Sequence, residues 1–166
     1  AVAPLLEHCP RLRWVQSTWA GVRPLVEASS RGYELTALKG VVGQLMSEYV
    51  LGWLLALERR ILERARNRAW DTLTDRSTGG RRMGIMGTGS IGAHVARTAA
   101  ALDIEVIGLN SNGRDVTGFA RCHSTADRLA FAQGLDYLVA LLPETPATDG
   151  LVDTELLGVM GEGSLF

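Results

Sequence analysis

Apolar residues change their spacing along the chain, and the changes predict alternating strands and helices. Short apolar or alternating runs at residues 12–16 and 33–38 are typical of strands. Denser apolar runs at residues 83–86, 104–109 and 137–142 predict strands that are covered on both faces, as in a parallel sheet. Residues 163–166 begin what the pattern predicts to be a further strand.

Helical spacing follows several of these strands. Pro24 fits the first turn of a helix that contains Leu25, Val26 and Ala28. We also predict helices at residues 90–102, at 127–132 and, capped by Asp153, at 154–160.

The segment that begins at Gly43 is helical in spacing and unusually apolar. Its apolar residues cover more than one face, and they are Leu45, Met46, Tyr49, Val50, Trp53, Leu54 and Leu57. A helix with so wide an apolar surface is expected to be buried between two domains or two subunits. The helix is predicted to continue, with charged residues, through Arg68.

Three glycines with the spacing G-x-G-x-x-G follow the strand at residues 83–86. Gly87 allows a sharp turn, Gly89 allows a phosphate to approach the backbone, and Gly92 lets the next helix press on the strand. That helix would direct its free N–H groups and positive dipole end at the diphosphate of a dinucleotide. Because strands lie before and after the helix, the pattern favours a nucleotide-binding βαβ unit over a merely structural glycine turn.

Composition excludes several classes of protein. With 166 residues, 46% of them apolar and 21% charged, the chain fits a soluble globular protein of one domain or parts of two. A net charge of -1 gives no case for binding nucleic acid or an anionic membrane. Cys9 and Cys122 are too isolated for a disulfide framework or a thiolate metal site, which favours a reduced, cytoplasmic setting and no metal.

The residues after the second strand of the βαβ unit bear on the choice of cofactor. An NAD site usually has an Asp or Glu about 20 residues after the first glycine, but residues 109–114 contain no carboxylate. Asn110 and Ser111 can bond a phosphate oxygen, and Arg114 can supply positive charge to it. We therefore expect NADP rather than NAD, with NAD kept open, since Arg114 could instead be an ordinary exposed loop residue.

Four stretches of the chain resemble the D-isomer-specific 2-hydroxyacid dehydrogenases, in particular the glyoxylate and hydroxypyruvate reductase branch. The stretches are residues 14–22, 39–50, 83–92 and 142–148, and they occur in the family's order. The resemblance implies an α/β fold in which part of a flavodoxin-like substrate domain precedes the first half of a Rossmann-type, doubly wound parallel sheet. It also implies a two-domain enzyme, with the cofactor in the cleft, that reduces small 2-oxo acids to D-2-hydroxy acids.

The resemblance assigns roles to the matching positions. Substrate binding falls to the loop of Trp19, Ala20, Gly21 and Val22, whose backbone amides would hold the substrate carboxylate. Cofactor binding falls to Gly87, Thr88, Gly89, Ser90, Ile91, Gly92, Asn110, Ser111, Arg114, Leu142, Pro143 and Thr148. The helix from Gly43 is similar to the one that packs in the family's homodimer.

The family's catalytic Arg, Glu and His have no counterpart in this chain, so we predict no catalytic residue within it. His8, His94 and His123 do not replace the catalytic acid, and each is expected to be an ordinary surface or packing histidine. On this basis the chain is expected to be an internal fragment that is inactive alone.

We divide the chain into residues 1–42 as substrate domain, 43–80 as interdomain helix and linker, and 81–166 as nucleotide-binding domain. A different class of function stays open, namely a dinucleotide-binding sensor or interaction module that has no catalytic activity.

Overall fold

The structure is a computed structural model that describes residues 3–6, 8–18, 23–26, 32–67, 70 and 75–166. It divides into two compact units. The first contains residues 1–41 and 143–149, and the second contains residues 42–142 and 150–166.

The first unit is built around two short parallel strands. Strand β1 (Trp14–Ser17) pairs with β2 (Glu34–Ala37), and short helices α1 (Ala3–Leu6) and α2 (Arg23–Val26) each lie just before one of them in sequence. The indole Nε1 of Trp14 donates a hydrogen bond to Thr36 Oγ1 (2.8 Å), which ties the two strands together by their side chains. Both predicted strands are therefore present, whereas the predicted loop at 19–22 and the predicted helical residue Ala28 lie outside the described residues.

The second unit is a parallel sheet with helices on its faces. Its strands are β3 (Arg82–Met86), β4 (Glu105–Asn110), β5 (Arg121–Ser124) and β6 (Tyr137–Ala140). Its helices are α3 (Gly43–Glu58), α4 (Ile61–Arg66), α5 (Ser90–Ala100), α6 (Arg128–Ala132) and α7 (Thr154–Gly158).

The strand order in this sheet is β5-β4-β3-β6, and Leu165 forms a parallel bridge with Tyr137 beyond β6. This order, which runs outward in both directions from the first strand of the sheet, is that of a doubly wound Rossmann sheet. The predicted fold class, α/β with a parallel Rossmann-type sheet, is confirmed.

Two apolar clusters fill the space between the sheet and its helices. On one face Met83 and Ile85 of β3 pack with Leu51 of α3 and Val95 of α5. On the other face Met86 belongs to a cluster that α6, α7 and the residues after α6 complete, including Phe131, Leu135 and Leu156. The central strands are covered on both faces, and this explains why their sequences are continuously apolar.

Strand β5 is not among the strands that the sequence pattern predicts. Its residues Arg121, Cys122, His123 and Ser124 include no apolar run, and none of the four is fully buried. The strand lies at the edge of the sheet. Its pairing with β4 stabilises the extended conformation, since the side chains of β5 show no pattern typical of a strand.

Three predicted boundaries also differ from the structure. The helix from Gly43 ends at Glu58, because Arg60 adopts a left-handed conformation (φ 50°) and a separate helix, α4, starts after it. Strand β6 ends two residues before the predicted Leu142, although Leu141 still donates to the Met86 carbonyl (2.8 Å). Helix α7 ends at Gly158, and its predicted cap Asp153 accepts from the Leu156 amide at 2.8 Å.

Within the described ranges, the structure contains no helix that combines the length and the apolar character needed to span a bilayer.

Candidate functional site

The glycine-rich turn connects β3 to α5, and its first glycine makes the turn possible. Gly87 has φ of 103°, a conformation that a residue with a side chain rarely adopts. Its amide donates to the carbonyl of Leu109 at the end of β4 (2.9 Å). A Cβ at this position would also lie 2.8 Å from the carbonyl oxygen of Leu141. The turn is thus held between the carboxyl ends of two neighbouring strands.

Gly92 and Gly89 differ in their surroundings. A Cβ on Gly92 would overlap the carbonyl oxygen of Gly87, so only glycine lets α5 approach the turn this closely. Around Gly89, by contrast, no atom of the described residues lies within 4 Å of the place that a Cβ would occupy. The chain therefore needs Gly92 for its own packing, whereas Gly89 leaves space open beside the start of the helix.

The N-terminus of α5 has no side-chain cap. Gly89 is the N-cap residue, in an extended conformation, and no side chain among the described residues bonds the free amides of the first turn. Ser90 is exposed and Ile91 is partly buried at the first two helical positions. Free amides and the positive end of the helix dipole, beside an open glycine, suit an anionic phosphate group.

Asn110, at the end of β4, connects the glycine turn with the loop that follows. Its Nδ2 donates to Thr88 Oγ1 (3.3 Å) and to the carbonyl oxygen of Arg114 (2.8 Å). Its Oδ1 accepts from the amide of Asn112 (3.3 Å), and Asn112 Oδ1 accepts in turn from the amide of Arg114 (3.1 Å). Sequence reasoning did not single out Asn112, although two Asn residues separated by one position are a signal of consecutive Asx turns.

Arg114 and Ser111 are exposed on this loop. Neither the Arg114 guanidinium nor the Ser111 hydroxyl has a partner among the residues that the structure describes. The nearest carboxylate in sequence, Asp115, accepts from the amide of Cys122 (3.1 Å) and so belongs to the β5 side of the loop. The loop therefore offers donors and positive charge, but residues 109–114 provide no carboxylate to bond ribose hydroxyls.

Cys122 and Thr88, a residue of the glycine turn, both pack against Gly108 of β4. A Cβ on Gly108 would lie 2.6 Å from Thr88 Cγ2 and 2.8 Å from Cys122 Sγ, so the methyl group and the thiol both approach this glycine. Burial raises the pKa of the Cys122 thiol above its ordinary value, because a thiolate would lose its hydration there. The neutral thiol packs as a small apolar group.

The last predicted cofactor-binding segment is divided between the two units. Leu142 belongs to the second unit and packs against the cluster that contains Met86. Pro143 and Thr148 belong to the first unit, where Thr148 Oγ1 donates to the Pro143 carbonyl (2.5 Å) and accepts from the Thr145 amide (3.0 Å). In the same unit, Arg23 Nη1 pairs with Glu144 at 2.5 Å.

The predicted substrate-binding residues Trp19, Ala20, Gly21 and Val22 lie outside the described residues.

The three histidines are spread over different parts of the chain. His8 is exposed, the Nδ1 of His94 lies 2.8 Å from Ser47 Oγ where α3 crosses α5, and the His123 ring packs edge-on against Phe131.

Comparison with known proteins adds an independent line of evidence. Residues 51–166 match the sequence model of the D-isomer specific 2-hydroxyacid dehydrogenase, NAD binding domain. The chain is 28% identical to glyoxylate/hydroxypyruvate reductase A of Serratia proteamaculans, over 96% of this chain and 55% of that protein.

Solved structures agree with this assignment. A D-isomer specific 2-hydroxyacid dehydrogenase family protein from Aeromonas salmonicida is 36% identical, with a TM-score of 0.89 over 99% of this chain and 55% of that one. The NADPH-dependent glyoxylate/hydroxypyruvate reductase of Sinorhizobium meliloti, solved with NADP and sulfate, is 29% identical, with a TM-score of 0.85 over 96% and 52%.

The chain spans about half the length of these relatives. The family match covers most of the chain, and it includes the glycine turn, the parallel sheet and the loop of Arg114. This protein belongs to the D-isomer specific 2-hydroxyacid dehydrogenase family, and residues 51–166 match that family's NAD binding domain.

Proposed function

We propose that this protein is an NAD(P)H-dependent oxidoreductase that reduces small 2-oxo acids to D-2-hydroxy acids. The observation that carries the proposal is the glycine turn, where Gly87 and Gly92 shape the backbone and the uncapped start of α5 faces the open space beside Gly89. Such a turn can hold a diphosphate by backbone amides alone. We assign this role to residues 87–92.

NADP is the cofactor that we propose in preference to NAD. Arg114 and Ser111 are exposed and have no partner among the described residues, so both can turn to a phosphate on the adenosine ribose. The protein from Sinorhizobium meliloti was solved with NADP. This agrees with the proposal, while the family assignment by itself supports only a nicotinamide dinucleotide in general.

The substrate class is also a proposal. The Serratia and Sinorhizobium relatives are named glyoxylate/hydroxypyruvate reductases, and the resemblance gives Trp19, Ala20, Gly21 and Val22 to the substrate carboxylate. We therefore propose residues 1–42 as part of a substrate domain, 43–80 as the interdomain helix and linker, and 81–166 as the nucleotide-binding domain. Leu142, Pro143 and Thr148 are proposed to lie beside the adenosine and nicotinamide.

When it is bound, the reduced dinucleotide supplies the hydride for such a reduction. The task that we assign to this chain's own residues is to bind and orient that cofactor. Because no residue of the chain matches the family's catalytic Arg, Glu and His, we do not assign the proton transfer to any residue of this chain.

Titration calorimetry of NADPH and NADH against the 166-residue chain and its Arg114→Ala variant tests this proposal. We expect tighter binding of NADPH, and an affinity for NADPH that falls about tenfold or more in the variant while that for NADH changes little. Arg97→Ala is the matched control, because Arg97 is exposed in the last turn of α5, at the opposite end from the glycine turn.

If the wild-type chain binds neither cofactor, the proposed dinucleotide site is wrong for this chain. If Arg114→Ala weakens both cofactors equally, the site stands but the preference for NADP does not. Cofactor binding, together with the absence of the family's catalytic Arg, Glu and His from the full-length protein, would favour the other hypothesis, a dinucleotide-binding sensor or interaction module.

We further propose that the protein forms a homodimer through α3 and that its setting is cytoplasmic. Leu45, Tyr49, Trp53 and Leu57 are exposed on that helix. Both cysteines are free, which agrees with a reducing compartment.

A further inference from the structure

We propose that Asn110 is a positioning residue that holds the glycine turn and the Arg114 loop together, and that it is not itself a ligand of the cofactor phosphate. This inference rests on the proposed function, that the second unit binds a dinucleotide. It separates two roles that the sequence pattern could not separate, since an Asn at this position can serve either one.

The hydrogen bonds of the Asn110 side chain show how it is used. An Asn side chain has two N–H donors and one carbonyl oxygen with two lone pairs. In the structure Nδ2 faces two acceptors, Thr88 Oγ1 and the Arg114 carbonyl, and Oδ1 faces one donor, the Asn112 amide. Both donors are therefore engaged, and only one lone pair stays available.

That remaining lone pair cannot bind a phosphate. Phosphate oxygens are acceptors and carry negative charge, so they need an N–H or O–H group or a cation. A carbonyl oxygen in the same place would repel them. For Asn110 to donate to a phosphate, it would first have to give up its bond to Thr88 or to Arg114.

The loop after Asn110 is restrained at further points. The amide of Arg114 donates to Asn112 Oδ1, and Gly113 has φ of 72°. A Cβ on Gly113 would lie 3.1 Å from the amide nitrogen of Ser124, so the loop runs close against β5. On the far side of Arg114, Asp115 accepts from the amide of Cys122. The backbone of Arg114 is thus fixed on both sides, while its guanidinium stays exposed.

This arrangement couples the two parts of the proposed site. Thr88 belongs to the turn that would hold the diphosphate, and Arg114 would face the phosphate on the ribose. Asn110 bonds both at once, so the distance between the two phosphate-binding parts is set before any cofactor arrives. Preorganisation of this kind raises affinity by reducing the ordering cost of binding.

A double-mutant cycle tests whether Asn110 acts through Arg114. NADPH affinity is measured for wild type, Asn110→Ala, Arg114→Ala and the double variant. We expect Asn110→Ala alone to weaken NADPH binding about five- to tenfold. The loss caused by Arg114→Ala should be about fivefold or more smaller in the Asn110→Ala background, because the guanidinium is already misplaced there. Additive losses would overturn the inference, because they would mean that Asn110 and Arg114 contact the cofactor independently.

Asn110→Asp provides a nearly isosteric variant. It would place a carboxylate oxygen against the Arg114 carbonyl, where Nδ2 now donates at 2.8 Å. We expect NADPH binding to fall at least as far as in Asn110→Ala. Binding equal to wild type would overturn the inference, since the two donors would then be unnecessary. Thr117→Ala is the control, because Thr117 is exposed on the same connection and its side chain has no hydrogen bond to a described residue.

Amide hydrogen exchange without cofactor tests the positioning role separately from the proposed function. We expect the amides of Asn112 and Arg114 to exchange about fivefold or more faster in Asn110→Ala and to be unchanged in Thr117→Ala. If the wild-type chain binds neither cofactor, the proposed function fails and this exchange measurement alone decides the role of Asn110. Unchanged exchange in Asn110→Ala overturns the inference even if the cofactor binds.

Discussion

At the scale of single residues, Gly92 and Gly89 show how one motif combines two different requirements. Gly92 is buried, and a Cβ there would overlap the Gly87 carbonyl oxygen and lie 3.4 Å from Ile85 Cγ2. Gly89 is exposed, with free space where its Cβ would be. The spacing G-x-G-x-x-G therefore requires glycine twice for the fold, at Gly87 and Gly92, and once, we propose, for the ligand, at Gly89.

Substitution by alanine should have different effects at Gly92 and at Gly89, the first on stability and the second on cofactor binding. Gly92→Ala should lower the free energy of unfolding by about 1–3 kcal/mol, because the overlap outweighs the better helix propensity of alanine. Gly89→Ala should leave that free energy within about 0.5 kcal/mol of wild type but weaken NADPH binding about tenfold, since the methyl would occupy the open space. Urea denaturation and calorimetry measure the two effects. A stable Gly92→Ala variant would show that α5 can move away from the turn.

At the scale of secondary-structure elements, a hydrogen bond from Tyr137 of β6 connects the sheet to the end of α3. The Tyr137 side chain is 2% exposed, and its hydroxyl donates to Glu58 Oε1 (2.8 Å) in the last residue of α3. Burial, and then the hydrogen bond to Glu58, raise the pKa of Tyr137 above its ordinary value. The hydroxyl is therefore protonated across the working pH range and remains a donor. Beside it, Arg81 pairs with Asp136 and fixes the start of β6.

Removing this hydroxyl tests how much α3 depends on the sheet. Tyr137→Phe should lower the free energy of unfolding by about 1–3 kcal/mol, because the half-buried Glu58 carboxylate loses its donor. Tyr49→Phe is the matched control on the same helix, because the Tyr49 hydroxyl has no hydrogen bond to a described residue, and it should change stability by less than about 0.5 kcal/mol. Equal effects in the two variants, compared by urea denaturation, would argue against a special role for the Tyr137–Glu58 bond.

At the scale of the whole molecule, one side of α3 carries four large apolar side chains that are exposed. Leu45, Tyr49, Trp53 and Leu57 follow one another at intervals of four residues, and each is between 47% and 65% exposed. Such an i, i+4 ridge packs well into the same ridge of a second helix, and across a two-fold axis one surface can serve both subunits. This is the structural argument for the homodimer that we propose.

Sedimentation velocity tests the homodimer. We expect wild type to form dimers at micromolar concentration and Trp53→Glu to sediment as a monomer, because a charge in the centre of the ridge would have to be desolvated. Leu157→Glu is the control, since Leu157 is 39% exposed on α7, on the opposite face of the sheet. A wild-type chain that stays monomeric at all concentrations would contradict the proposal.

Much of the architecture follows from local sequence. The central strands β3 and β4 are apolar along most of their length because both of their faces are covered, and such runs are visible without a structure. Strand β6 is apolar as well, although only its first two residues are fully buried. The glycine turn is also visible without a structure, since the turn at Gly87 and the close packing at Gly92 each need the absence of a side chain. The cap at Asp153 and the apolar character of α3 were predictable for similar reasons.

Features that depend on contacts between distant residues were not predictable in this way. Strand β5 is polar and is stabilised by its pairing with the edge of β4. The helix break at Arg60 falls within a run of charged and apolar residues, most of which favour a helix. Which role Asn110 takes depends on Thr88, 22 residues away, and on the Arg114 carbonyl.

The sequence by itself determined the fold class and the position of the glycine turn, because both rest on short-range patterns of apolar residues and glycines. The family followed from the resemblance of four stretches of the chain to known proteins. The tertiary structure decided the edge strand, the end of α3 and the use of the Asn110 amide. Each of these is settled by which partner a backbone or side-chain group meets across the fold, and spacing along the chain does not encode that choice.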